Sequence, residues 1–246
     1  MLNVRIEPGE SMDRSLSSAA SAMKSLARES EQEGVARIYA YPSLEAYMAG
    51  LLAFSALSRR GLNVVLSLRP DPPSRVFEPS LAIGYGSLGY TNEDVKSQLV
   101  ALSGGIKEPP PVNASYVSVD GSLGGALYLV LRLVDDLTLE PEHAIMSLAS
   151  LYASSYVDKS GKVFGVDKVL VSQLSQDEKV GLAAVTSLKS YRPHVLSFCD
   201  SISLTLDPYY PGLTGDAGGC ESLLKSSDLG ELARRKVTDM GDEDLK

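Results

Sequence analysis

Four short stretches carry residue types that could do chemistry, and each follows an apolar run that reads as a strand. They are Tyr41-Pro42-Ser43, Arg69-Pro70-Asp71, Tyr85-Gly86-Ser87 and Asp120-Gly121-Ser122. Open parallel sheets bind ligands at the carboxyl ends of their strands, so these four ends come first. They offer two carboxylates, Asp71 and Asp120, and no histidine, with Glu45 just inside the helix after the first. A two-metal hydrolytic centre needs several carboxylates, usually with histidines, converging on one point. That set is missing. Asp120-Gly121-Ser122 is the most chemical-looking of the four, and it reads as a turn followed by a helix N-cap. The stretch 84–89, GYGSLG, has the spacing of a dinucleotide loop. It lacks the lysine of a P-loop and the acid expected on a second strand end, so it reads as a closely packed turn. There is no GxSxG, and His143 and His194 stand far apart, as surface or helix-end residues. Tyr39, Tyr41 and Tyr47 could stack on bases, but on a strand and the next helix they read as packing residues.

The elements that must position these ends follow from periodicity. Residues 11–33 place Leu16, Ala19, Ala20, Met23, Leu26 and Ala27 on one helical face, with Ser11 as N-cap and Gly34 as stop. A strand over 35–41 leads to a helix capped by Ser43 and ended by Gly61. Strands are predicted at 62–68, 80–86 and 114–119, and helices at 91–102, 122–136, 140–157 and 174–191. A short helix over 220–227 precedes a charged tail. Strands that alternate with helices, and are apolar throughout, predict an α/β fold: a parallel β-sheet flanked by helices. The expected division is an N-terminal helix (1–34), an α/β domain (35–175), a helical and turn-rich part of the same domain (176–230) and a tail free to fray (231–246).

Composition sets outer limits. The chain has 246 residues, 44% of them hydrophobic, which suffices for a substantial core. Its net charge of −8 argues against a basic nucleic-acid groove and suits a soluble protein or one docking on a basic partner. Cys199 and Cys220 have no metal-binding or redox spacing and read as buried or indifferent thiols in a reducing cytosol. The N-terminus has no apolar signal core, and the apolar run 125–134 is too short to span a bilayer. A cytoplasmic protein without a membrane partner is expected.

Three segments together resemble one family: residues 38–68; residues 113–136 with 148–171; and residues 203–226. The last contains a DPYYPGLTG run, with Asp207, Pro208, Pro211, Gly212 and Gly215, and the second contains Asp120-Gly121-Ser122 and the turn Gly165-Val166-Asp167. Over about residues 35–230 their order and spacing resemble the DHH phosphoesterase domain of archaeal RecJ-like proteins. Within that family they look like the inactive, GINS-associated members, counterparts of cell division control protein forty-five in the helicase formed with MCM and GINS. The resemblance implies that metal ligands would stand at positions here held by Ala40, Pro42, Leu44, Gly84 and Tyr156, with Glu45 at a glycine position. The namesake Asp-His-His would fall in residues 101–111, which read ALSGGIKEPPP. No catalytic residue, metal or other cofactor, and no separate DNA-binding lobe, is then expected.

The function implied is a non-catalytic scaffold in chromosomal replication, near the nucleoid. It would bind the GINS complex and through it the MCM helicase, and meet DNA weakly or only in the assembled complex. Two alternatives stand beside it. One is a metal-dependent phosphoesterase or nuclease with relocated ligands, drawn from Asp71, Asp120 and Asp158. The other is a Rossmann-like nucleotide-binding protein using residues 84–89.

Overall fold

Two-residue alternation builds the sheet. Along each central strand, odd and even residues enter different cores: Ile38 and Ala40 against Tyr39, Leu81 and Ile83 against Ala82, Val100 and Leu102 against Leu99 and Ala101. Side chains of a strand point to opposite faces in turn, so apolar residues at every position bury both faces. The structure, a computed structural model, describes residues 2–134, 139–157, 162–177, 195–206, 209–236 and 239–240. The chain forms two compact units, Met1–Leu182 and Ala183–Lys246.

In the first unit the order is β1 (Leu2–Ile6), α1 (Met12–Glu33), β2 (Ala36–Ala40), α2 (Leu44–Arg59), β3 (Val64–Leu68), β4 (Ser80–Ile83), β5 (Leu99–Ser103), β6 (Ala114–Val119), α3 (Leu123–Leu131), α4 (Pro141–Ala153) and α5 (Asp167–Ser175). The six strands form one sheet in the order β1-β6-β5-β4-β2-β3, every neighbouring pair parallel. This is the α/β parallel sheet flanked by helices that the sequence predicts.

Helices supply one core. α1 buries Leu16, Ala19, Ala20, Met23, Leu26 and Ala27, and Gly34 ends it in the left-handed region at φ 74°. With the buried Ala22, four small alanines on this side let the helix lie close to the strands. α2 starts where Ser43 Oγ accepts the Ala46 N–H at 3.2 Å, and it packs on α3 and α4 as well as on β2 and β3. The opposite core holds Val76, Tyr85, Leu88, Val95, Ile106 and Tyr116, with Tyr39 and Tyr90 at its rim. Among the described residues no helical one enters it, and its members come from the strands and the connections after β3, β4 and β5.

Several expected elements change. Residues 91–102 do not form a helix. Asp94 Oδ2 accepts both the Thr91 N–H (2.9 Å) and the Thr91 hydroxyl (2.7 Å), so the cap-like TNED sequence closes a turn. The apolar run beyond it then becomes β5, buried between β4 and β6. A short apolar run cannot be told from a helix segment by periodicity, and here burial on both faces decides. Residues 2–6 form an unexpected edge strand, burying Val4 and Ile6 beside β6. α3 and α4 end earlier than the predicted 136 and 157. α5 lies across the start of the expected 174–191 helix, most of which is outside the described residues. His143 is a helix-end residue but not a surface one: it is buried at the start of α4, and its Nδ1 accepts the Glu140 N–H at 2.8 Å.

In the second unit α6 (Phe198–Ser203) and α7 (Ala217–Ser226) precede a 3₁₀ turn, Gly230–Arg234. The two cysteines are not free thiols: Cys199 and Cys220 form a disulfide, with Cα atoms 5.5 Å apart. Their residue types do not reveal this, because nothing in the sequence announces that α6 and α7 meet. The start of the expected tail is also folded. Ala233 is buried, and the Phe198 N–H donates to the Arg235 carbonyl at 2.7 Å. Cys199, Cys220 and Ala233 form a small buried cluster with Phe198, Leu213 and Leu224 packed against it, and the disulfide lies inside it. The bond spans 21 residues, for which chain entropy predicts about 3 kcal/mol. Replacing both cysteines by serine should therefore accelerate amide exchange in α6 and α7 and leave the sheet unchanged. Unaltered exchange in those helices would show that the disulfide does not hold them.

Candidate functional site

Because all strands run one way, their carboxyl ends share one edge, and the expected site positions are found there. Ala40 is the buried last residue of β2, Pro42 lies exposed in the turn, and Leu44 opens α2 with 59% of its surface exposed. Gly84 follows β4 at φ 84°, and a Cβ there would stand 2.8 Å from the Ala46 Cβ and 3.3 Å from the Tyr41 Cβ. Glycine is thus required both for its backbone angle and for the approach of β4 to the 41–46 turn. Tyr156 follows α4, and besides burial, Asp120 lies close enough to raise its hydroxyl.

The acids at this edge are engaged by the N-terminus of α3. Asp167 is fully buried. Its Oδ2 accepts the Ser122 N–H and its Oδ1 the Ser122 hydroxyl, both at 2.6 Å. Ser122 Oγ in turn caps the helix, accepting the Gly125 N–H at 3.0 Å. Glu45 Oε1 accepts the Leu123 N–H at 2.9 Å, which ties the start of α2 to the start of α3. Ser150 of α4 completes the set: its Oγ accepts the Gly124 N–H (2.8 Å) and donates to the Glu45 carbonyl (3.0 Å). A helix N-terminus carries unsatisfied N–H groups and partial positive charge, so buried carboxylates and hydroxyls are well placed there.

Asp120, Gly121 and Ser122 thus do form a turn and a cap. The Asp120 carbonyl accepts the Val166 N–H at 2.9 Å. Gly165 makes that approach possible, since at φ 62° any Cβ on it would overlap the Asp120 carbonyl. Of the other family-motif residues, Gly212 and Gly215 take positive φ in the turn before α7, which also contains Pro211; Asp207 and Pro208 lie outside the described residues.

Burial pushes the Asp167 carboxyl up to about 6, against the pull of its two Ser122 donors and reinforced by Glu45 and Asp120 nearby. Burial raises Glu45 as well, with the Leu123 N–H opposing. The Tyr156 hydroxyl is raised by burial and then by Asp120, Glu45 and Asp167. These groups therefore share one neighbourhood. Even so, among the described residues no three His, Cys, Asp or Glu side chains are grouped to hold a metal ion. Asp71 is exposed in its loop, and Asp158 and His194 fall outside the described residues.

The 84–89 turn already holds an anion of its own. The Glu108 carboxylate accepts the Leu88 and Gly89 N–H groups at 3.0 and 3.1 Å and the Ser87 hydroxyl. These contacts hold Glu108 below the usual carboxylate range, the Ser87 hydroxyl most of all. The Leu88 and Gly89 N–H groups, which a phosphate at this loop would need, are thus taken by Glu108. Tyr41 and Tyr85 meet edge-to-face with centroids 6.1 Å apart, and Arg69 lies over the Tyr39 ring. Burial raises the Tyr85 hydroxyl to about 12, and it donates to the Arg69 carbonyl at 3.0 Å. The tyrosines of this corner are packing residues. Sequence reading misses the role of Asp167; its signal is one acid directly after a glycine turn in an otherwise apolar stretch.

No protein-family model matches the sequence, and no curated protein does. Solved structures do. The crystal structure of CDC45 from Entamoeba histolytica superimposes with a TM-score of 0.62, at 11% identity, over 99% of this chain. The fold is that of CDC45. The chain corresponds to 55% of that CDC45 chain. The exonuclease RecJ bound to manganese aligns with a TM-score of 0.46 at 16% identity, over 94% of this chain and 62% of its own. RecJ from Thermus thermophilus in complex with Mn2+ gives 0.44 at 15%, over 89% and 37%.

The buried Asp167 makes stability pH-dependent. Its pKa is higher folded than unfolded, so between about pH 4 and 6 the folded chain binds the extra proton. Its contribution is most favourable in acid and falls as pH rises through 6. A rise from 3.8 to about 6 corresponds to at most about 3 kcal/mol. Urea unfolding at pH 5 and pH 7 should show a larger loss of stability for the wild type than for Asp167→Asn. The variant should also be weaker at pH 5 by about 1–3 kcal/mol, since one amide oxygen faces two Ser122 donors. Equal slopes for the two proteins would remove Asp167 as the titrating group.

Proposed function

We propose that this chain is a non-catalytic scaffold subunit of a replicative DNA helicase complex, binding GINS and through it the MCM ring. The observation that carries the reading is how the acids of the strand-end edge are employed. Asp167 and Glu45 accept N–H groups at the start of α3, so they serve the fold. The positions at which the family resemblance would put metal ligands hold Ala40, Pro42, Leu44, Gly84 and Tyr156. Fold and site are separable, and a shell can persist while its chemistry is replaced. The likeness to CDC45 along 99% of this chain is in keeping with that role.

The partner is expected to contribute most of any DNA contact, given the net charge of −8. Mixing the purified chain with the GINS complex should give a stoichiometric species on size-exclusion chromatography, to which MCM then adds. Separate elution at micromolar concentrations would sink the scaffold reading. In parallel, single-stranded DNA with Mn2+ should remain intact. Hydrolysis that is lost in Asp120→Asn would establish the phosphoesterase alternative instead.

A further inference from the structure

The sheet has two edges, and they are built differently. β1 carries Asn3 and Arg5 exposed along it, with Arg5 paired to Glu7. β3 reads VVLSL, with no charge and no proline, and its Val65 and Leu68 are exposed. Proteins ordinarily blunt an edge strand with charge or proline, because an open one is a template for another strand.

The outer side of β3 follows from its inner bonds. The Asn63 carbonyl accepts the Ala36 N–H at 2.8 Å, and the Arg69 N–H donates to the Ala40 carbonyl at 3.1 Å. With Ile38 in register with Leu66, the odd-numbered residues of β3 bond to β2. Val64, Leu66 and Leu68 therefore turn their N–H and carbonyl groups outward, and among the described residues no strand lies beyond them. α2 overhangs this edge. Gly50 marks its sheet-facing side, since a Cβ there would meet Leu66, Ala40 and Ile38. To one side of Gly50 the alanines Ala46, Ala49, Ala53 and Ala56 are buried, and α3 and α4 pack on the helix. To the other side run Leu44, Tyr47, Leu51 and Phe54, at helical spacing and exposed or half-exposed.

We infer that this edge docks a second copy of the chain, β3 pairing antiparallel with its counterpart about a two-fold axis at Leu66. The geometry selects a second copy over an unrelated strand. The outward groups are symmetric about Leu66: Leu66 exchanges bonds with the partner subunit's Leu66, and Val64 with the partner subunit's Leu68, so every outward N–H meets a carbonyl. The same axis passes Leu51, because the neighbouring Gly50 sits over Leu66. The spacing of the layers also fits. α2 packs on both β2 and β3, so two strand spacings separate it from its counterpart, about 10 Å, at which helices pack. The residues at the axis, Leu51, Val65 and Leu66, carry no charge that self-pairing would oppose. This assembly goes beyond the helicase reading and does not rest on it.

Sedimentation equilibrium of the full chain from about 1 to 100 μM should show a reversible dimer of twice the 26.2 kDa chain mass. Over the same range hydrogen exchange should slow at the Val64, Leu66 and Leu68 amides. Leu51→Glu and Leu51→Arg should each weaken the dimer by about tenfold or more, since like charges then meet at the axis. An equimolar mixture of the two should restore it, which also shows that both fold. Leu68→Pro, which removes an outward N–H and spares the bonds to β2, should weaken the dimer as well. A chain monomeric throughout, a dimer whose three amides exchange unchanged, or a dimer left intact by all three variants would each overturn the assignment. Protection of those amides only when the GINS complex is added would overturn it too, and give the edge to that partner.

Discussion

The first unit hangs on one buried carboxylate. Asp167 reaches across from α5 to take both the backbone and the side-chain donor of Ser122, and Ser122 then caps α3. Glu45 and Ser150 serve the next two N–H groups of the same helix from α2 and α4. Four helices thereby meet at one N-terminus, and every residue of α3 is buried. Such a helix has no solvent to satisfy its end, so its partners must come from the protein. Removing one leaves a buried donor without an acceptor, which is costlier than never having buried it.

That constraint explains why the strand-end edge looks chemical without being arranged for metal chemistry. A cluster of carboxylates with nothing to accept from repels itself and titrates upward. Here Asp167 and Glu45 are held by N–H groups at the start of α3, and the third acid, Asp120, lies near the Tyr156 hydroxyl. The same logic recurs at Glu108, which sits on the N–H groups of the 84–89 turn. In both places the protein's own carboxylate fills a set of free N–H groups.

Most of the fold is legible from periodicity, and the failures have physical causes. The long helices announce themselves: α1 by its alanine stripe and Gly34, α2 by Ser43. β5 does not, because an apolar run buried on both faces has no alternation to show, and Thr91 and Asp94 mimic a helix start while closing a turn. β1 is missed because LNVRI is short and its pairing partner is far along the chain. The disulfide is invisible for a related reason: spacing says nothing about two helices that meet through tertiary structure. At the site, Ser122 is readable as a cap, whereas Asp167 is not, since its partner lies 45 residues away. Local signals travel through sequence, and long-range polar pairs do not.

The pairing of β1 with β6 also orders events in time. β1 is synthesised first, yet its only neighbour in the sheet is the last strand to be made, after α1, β2, α2, β3, β4 and β5. The strands β4, β5 and β6, by contrast, lie side by side in chain order and can add one after another. A nascent chain must therefore carry Val4 and Ile6 unsatisfied until β6 is available. Closing that long loop is entropically slow, and an unpaired apolar strand is open to wrong partners meanwhile. The β1 edge is thus the last part of the sheet to close.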